Sequence, residues 1–242
     1  MDEKPRFATG RIRGPAAGPL ELTLNTASYG AHGAGAQMRY TLAPTPFGLI
    51  LLAATSHGVC WIGIHESASY LEAELRADYA QAEVIHDSTR TAPLAAHVVA
   101  FMIGEASELD LPLDIRATPF QLRVWRELCA IPRGATRAYG EIASRLGRPA
   151  ASRAVGHANG SNPTAIIIPC HRVIGAGGAL TGYRWGVEYK RRLLEHEGVL
   201  AQASGAKRNE QVACPRRAKP EGSLRAAFKV KSFARAAAGR FA

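Results

Sequence analysis

One short stretch limits the possible folds of this chain more than any other, because it joins an apolar run to two reactive side chains. Residues 165–168 read Ala-Ile-Ile-Ile, and Pro169, Cys170 and His171 follow directly. An apolar run of this length is typical of a buried strand, and a proline ends strand pairing. The stretch therefore predicts a thiol and an imidazole at the end of a rigid element. Free cysteines are mostly core residues, so an inert thiol is the alternative.

The neighbours of Cys170 favour a reactive thiol. His171 supplies an imidazole, Arg172 supplies a positive charge, and the glycine-rich segment 175–178 lets the backbone approach a ligand closely. A nearby base or cation is what converts a thiol into the nucleophilic thiolate. Cys170 is therefore a candidate nucleophile of the cysteine-histidine type.

Composition narrows the class of protein. The 242 residues are 47% hydrophobic, which is enough for a full core in one or two domains. No apolar run approaches the ~18 residues of a membrane helix, and the charged start at residues 1–4 does not resemble a signal peptide. The four cysteines form no C-x-x-C pair, which argues against a zinc site and a disulfide framework. We expect a cytoplasmic, reduced protein without metal or cofactor.

The charge changes sign along the chain. Residues 38–115 hold 3 basic and 10 acidic side chains, whereas 116–199 hold 13 and 5, and 200–242 hold 10 and 2. A basic second half indicates a polyanionic partner such as nucleic acid. A solubilising surface is the alternative.

The first half predicts a small sheet covered by helices. Residues 1–37 are rich in Gly and Pro without an apolar period and read as a disordered leader. In 38–110, strands are expected at 38–42, 47–53, 59–64 and 82–85, and helices at about 69–79, capped by Ser67, and 91–104. Residues 111–115 read as an extended linker.

The second half, 111–199, is expected to be mostly helical. Thr118 caps a helix that starts with Pro119 and runs to about residue 130. Helices at about 139–146 and 152–159 have the lengths and the separating Gly-Arg-Pro turn of a helix-turn-helix, although the residues alone favour an ordinary helical hairpin. A last helix covers 187–197 and ends at Gly198. Residues 200–242 read as a disordered basic tail.

Several motifs occur together in order and at matching spacing. They are Phe120-Gln-Leu-Arg-Val-Trp125, Ile131-Pro-Arg-Gly134, Tyr139, Arg153-Ala-Val-Gly156, Asn162-Pro163, Ile168-Pro-Cys-His-Arg-Val173 and Gly182-Tyr-Arg-Trp-Gly186. Together they closely resemble the methylated-DNA-protein-cysteine methyltransferases, which repair 6-O-alkylguanine. The resemblance is strong over 111–199, looser back to 38, and covers neither end. It implies an α+β fold, with a ribonuclease-H-like first domain and a winged-helix-like domain that binds DNA and carries the chemistry.

The resemblance also implies catalytic roles. Cys170 would take the alkyl group irreversibly, in a single turnover, from 6-O-methylguanine and also from 4-O-methylthymine. His171 would act as its base through a bound water, and Glu197 would orient the imidazole. Asn162 would tie the recognition helix to the active-site loop and polarise the thiol. The Tyr139 hydroxyl would donate to a ring nitrogen of the base.

Further residues are expected to bind the base and the DNA. Val173, Tyr183 and Arg184 would form the base pocket, through the Val173 carbonyl and the backbone N–H at Arg184. Because the alkyl group is hidden inside a duplex, the nucleotide must be flipped out. Arg153 would fill the gap, and the small second helix would enter the minor groove of double-stranded DNA through Arg153, Ala154, Gly156 and Asn159. The protein would act as a monomer.

Two other functions fit parts of the sequence. A non-catalytic protein that flags alkylated bases would need the DNA-binding helices but no nucleophile, and Cys170 argues against it. A cysteine hydrolase of small esters would turn over repeatedly and would not need Arg153. One departure from the family pattern is Ala117, which stands where a Gly commonly precedes Thr118.

Overall fold

The fold is α+β, as the sequence predicts. The computed structural model describes residues 8–15, 21–24 and 28–200. Within these ranges, strands and helices alternate in the first half and helices dominate the second. The strands are β1 (Ala8–Pro15), β2 (Glu21–Leu24), β3 (Gln37–Thr45), β4 (Gly48–Ala54), β5 (Val59–His65), β6 (Glu83–His86), β7 (Glu108–Ile115), β8 (Arg137–Ala138) and β9 (Val173–Ile174). The helices are α1 (Ala68–Asp78), α2 (Ser88–Ile103), α3 (Pro119–Cys129), α4 (Tyr139–Arg145), α5 (Ser152–Gly160) and α6 (Val187–His196).

In the described residues, seven strands form one mixed sheet in the order β2-β1-β7-β5-β4-β3-β6. The predicted meander is confirmed: β3, β4 and β5 pair antiparallel in sequence. Nearly every residue of β4 and β5 is buried, which is typical of strands covered on both faces. The sheet centre, helix α3 and the segment before Cys170 share one apolar core, so the first half supports the second directly.

Two expectations about the ends of the first half are wrong. The predicted disordered leader contains β1 and β2, and β1 pairs with β7 from Ala8↔Ile115 to Pro15↔Glu108. The predicted linker at 111–115 is part of β7, which also touches β5 through Val59↔Leu113. Both errors concern the pairing of β7 with strands far from it in the sequence, which local sequence patterns do not encode. The basic tail beyond residue 200 lies outside the described residues.

The helices of the second half begin and end close to the predicted residues. Thr118 and Gln121 form a reciprocal capping box at the start of α3, with Pro119 in the first turn. Helices α4 and α5 follow as the expected pair of short helices. Trp125 of α3 donates its indole N–H to the Ala158 carbonyl at 2.8 Å, which holds α5 against α3. The described residues include no helix long and apolar enough to cross a membrane.

Candidate active site

The segment before Cys170 is a buried turn, and the predicted strand at 165–168 is wrong. Backbone hydrogen bonds join Ile168 N to Thr164 O at 3.1 Å and Cys170 N to Ile168 O at 2.7 Å. Ile166 has φ of 72°, which a β-branched residue rarely adopts. Such strain persists only where the surroundings fix the backbone, and it is concentrated at functional sites.

Two groups fix this turn. The Asn162 side chain donates to Ile168 O at 2.8 Å and accepts from Thr164 N at 3.0 Å. Strand β5 holds the turn from the other side, because Ile62 N donates to Pro163 O at 2.8 Å. The side-chain hydrogen bonds of Asn162 therefore stay within the loop, and its link to α5 is its own backbone N–H, which donates to Asn159 O.

His171 and Glu197 come together as predicted. His171 Nε2 lies 3.0 Å from Glu197 Oε1, and their side chains are 2% and 6% exposed. A carboxylate can only accept, so Nε2 carries the proton and Nδ1 keeps its lone pair. Burial lowers the pKa of His171, although the Glu197 charge opposes this, so the imidazole is neutral near pH 7. Nδ1 has no hydrogen-bond partner among the described residues. A neutral imidazole with a free Nδ1 can act as a base.

Sequence reasoning missed Arg172 as a member of this group. Its guanidinium donates to both oxygens of Glu197 at 2.9 Å and to the Ile131 carbonyl at 2.7 Å. Burial alone would raise the pKa of Glu197, but His171 and Arg172 hold it well below its usual range. Glu197 is therefore ionised at neutral pH, and it contacts two side chains adjacent in sequence.

A second cation, Lys190, was also missed. It is fully buried and donates to Val173 O at 2.5 Å and to Thr181 O at 2.8 Å. Burial lowers its pKa to about 8. The available signal was its position on the apolar stripe of α6, three residues before Leu193 and four before Leu194, which are both buried.

Cys170 lines a cavity of about 280 Å³ and is 6% exposed. Burial raises the pKa of its thiol, whereas a hydrogen bond from Asn162 and the Lys190 charge lower it. The cavity brings together most of the predicted base-binding residues. Its wall is formed by Tyr139, Gly156, Asn159, Gly160, Asn162, Cys170, Gly182, Tyr183, Arg184 and Trp185.

Other predicted residues lie at the edge of this site or away from it. Val173 is buried beside the loop, and its carbonyl already accepts from Lys190. Arg153 and Ala154 are exposed at the start of α5, where the side chains can reach a partner. Arg184 belongs to the cavity wall, but its guanidinium points to Glu74 and Asp78 of α1. No metal-binding cluster of His, Cys, Asp or Glu occurs in the residues that the structure describes.

Comparisons with known proteins identify the family of this chain. A family model described as 6-O-methylguanine DNA methyltransferase, DNA binding domain, matches residues 119–199. A methylated-DNA-protein-cysteine methyltransferase of Methanosarcina acetivorans is 42% identical over 161 residues, covering 66% of this chain and 99% of that relative. This chain belongs to the methylated-DNA-protein-cysteine methyltransferase family. The family resemblance seen in the sequence is thereby confirmed.

Two mycobacterial members of the family are also similar. The methyltransferase of Mycobacterium bovis is 60% identical over 104 residues, which are 43% of this chain and 63% of that relative, so the match spans less than two thirds of its length. The crystal structure of Mycobacterium tuberculosis OGT in complex with DNA aligns with a TM-score of 0.55 at 42% identity, covering 66% of this chain and 92% of that one.

Proposed function

We propose that this protein repairs DNA by transferring the alkyl group of 6-O-methylguanine to its own Cys170, once per molecule. The observation that carries the proposal is the thiol of Cys170 in a cavity, followed in the chain by a neutral His171 whose Nε2 is held by an ionised Glu197. Membership of the methyltransferase family supports the same reaction. We extend the proposal to 4-O-methylthymine.

The chemistry follows from these groups. The Cys170 proton passes through a water to His171 Nδ1, and the thiolate attacks the methyl carbon. A bond forms between sulfur and carbon while the bond between carbon and O6 breaks. The electron pair delocalises into the guanine ring, N1 takes up a proton from water, and His171 Nδ1 returns the thiol proton to water, so that the products are neutral guanine and S-methylcysteine. Tyr139 and the backbone N–H of Arg184 stabilise the developing charge by donating to the base.

The DNA-binding surface is proposed to be α5 with its neighbours, in a winged-helix-like arrangement beside a ribonuclease-H-like sheet. Arg153 would occupy the gap left by the flipped nucleotide, and the small side chains of Ala154 and Gly156 suit a minor groove. Asn159 lies where this helix meets the cavity. We propose that the protein acts as a monomer, since one chain supplies the whole constellation. The unpaired state of Cys60, Cys129 and Cys170 suits a reducing compartment such as the cytoplasm.

Mass spectrometry of the protein after incubation with 6-O-methylguanine duplex tests the proposal. We expect a gain of ~14 Da, one CH₂, on the peptide containing Cys170, at one methyl per chain, because the nucleophile is not regenerated. Cys170→Ser should abolish the gain while DNA binding remains. Cys129→Ala, which removes another buried thiol, is the matched control and should keep it. Binding without transfer by the unaltered protein would point instead to a lesion-flagging protein.

A further inference from the structure

Helix α1 of the first half holds one wall of the cavity through Arg184. The Arg184 guanidinium lies 2.7 Å from Asp78 Oδ2 and 3.1 Å from Glu74 Oε2. Both carboxylates stand on α1, one turn apart, and all three side chains are between a quarter and a third exposed. Arg184 itself lines the cavity next to Tyr183 and Trp185. The contact thus joins the cavity wall to an element more than 100 residues earlier.

The same wall is supported by an aromatic contact with the sheet. Trp185 packs edge-to-face on Trp61 of β5, with ring centroids 5.2 Å apart, and Arg184 lies over the Trp185 ring at 5.0 Å. Trp61 donates its indole N–H to Asp78 Oδ2 at 2.8 Å. A Cβ atom at Gly63 would lie 2.7 Å from the Trp185 ring, so only glycine leaves room for this packing.

The segment that carries the wall depends on this external support. Gly182 and Gly186 bound it with φ of 39° and 103°, which other residues rarely adopt. Lys190 and Tyr139 hold Thr181 by hydrogen bonds, whereas the contacts of Arg184 and Trp185 run to α1 and β5. Without them the wall could move away from Cys170 and enlarge the cavity.

From these contacts we infer that Glu74 and Asp78 are positioning residues that set the width of the alkylated-base cavity and thereby limit the size of the alkyl group that can be transferred. This inference rests on the proposed function. A bulkier alkyl group must fit into a fixed cavity, where overpacking is costly. Releasing the wall removes part of that cost for a large group but brings no gain for methyl.

The test compares single-turnover rate constants for 6-O-propylguanine and 6-O-methylguanine in the same duplex. We expect the propyl-to-methyl ratio to rise about fivefold in the Glu74→Gln, Asp78→Asn double variant, the size of effect that partly exposed ion pairs can exert. A general loss of stability lowers both rate constants by the same factor and leaves the ratio unchanged. Glu72→Gln is the matched control, because Glu72 lies on the same helix but accepts from Tyr40.

A second variant keeps the test informative if the double variant folds poorly. Arg184→Met removes the same contacts from the other side and should raise the ratio similarly, with no further rise when all three changes are combined. An unchanged ratio in these variants, or an equal rise in Glu72→Gln, overturns the inference. If the unaltered protein transfers no methyl group, the proposed function itself has failed.

Discussion

Two buried charges of opposite sign, Glu197 and Lys190, lie in different surroundings in the candidate active site. Glu197 contacts the positive Arg172 and the N–H of His171, so its ionised form is compensated. Lys190, by contrast, donates to the neutral carbonyls of Val173 and Thr181. The pKa of Glu197 therefore lies below its usual range, whereas that of Lys190 falls to about 8. Glu197 is therefore ionised throughout the neutral pH range, whereas Lys190 can lose its charge just above neutral pH.

The largest effect on stability is expected when the Glu197 charge is removed. Glu197→Gln leaves Arg172 buried without its counter-ion, which should lower the free energy of unfolding at pH 7 by about 3 kcal/mol. Because the folded pKa of Glu197 is depressed, its contribution is complete above the unfolded pKa of about 4.3 and is lost as the pH falls below it. Urea unfolding of both proteins from pH 7 to pH 3 measures the difference.

The pH dependence is the diagnostic part of that experiment. The gap between the two proteins should shrink by about 1.4 kcal/mol for each pH unit below about 4.3. Glu188→Gln, an exposed change on α6, serves as the control and should alter stability little. A difference in the free energy of unfolding that stays constant down to pH 3 would show that the charge of Glu197 does not stabilise the fold.

A smaller effect is expected when the Lys190 charge is removed. Lys190→Met removes the cation that lowers the pKa of Cys170, so less thiolate exists at neutral pH. We expect the iodoacetamide reaction of Cys170 at pH 7 to slow about tenfold, which corresponds to one pKa unit, with its pH profile shifted upward. Peptide mass spectrometry separates Cys170 from the other thiols. Arg191→Met, an exposed neighbour on α6, should leave the profile in place; an unshifted profile for Lys190→Met would refute the role of its charge.

Local signals could be predicted from the sequence, whereas contacts between distant residues could not be predicted from the residues alone. Helix α3 was predicted because Thr118 and Pro119 are local signals that act within one turn. The contact of His171 with Glu197 came from the family resemblance, since 26 residues separate them. The turn at 165–168 was mistaken for a strand because its backbone bonds go to the Asn162 side chain and to Ile62, which an apolar run does not reveal.

The burial of Arg172 and of Lys190 was not predicted for one physical reason. Arg172 and Lys190 are charged, and charged side chains are ordinarily assigned to the surface. Their burial depends on partners brought in by folding: Glu197 and the Ile131 carbonyl for Arg172, and the Val173 and Thr181 carbonyls for Lys190. Only an apolar stripe interrupted by Lys190 hinted at this in the sequence.

The smallest effect should come from a carboxylate that also contacts two basic side chains but lies nearer to solvent. Glu127 Oε2 lies 2.5 Å from Arg145 Nε and 3.4 Å from Arg137 Nη1, yet the Arg145 side chain is 51% exposed. Glu127→Gln makes the same chemical change as Glu197→Gln, but water can solvate the released arginines. We expect a loss below about 1 kcal/mol in urea unfolding, smaller still at 1 M salt because exposed pairs are screened. Equal losses at positions 127 and 197 would show that burial does not set the strength of these pairs, and the comparison between the buried Glu197 and Lys190 would lose its basis.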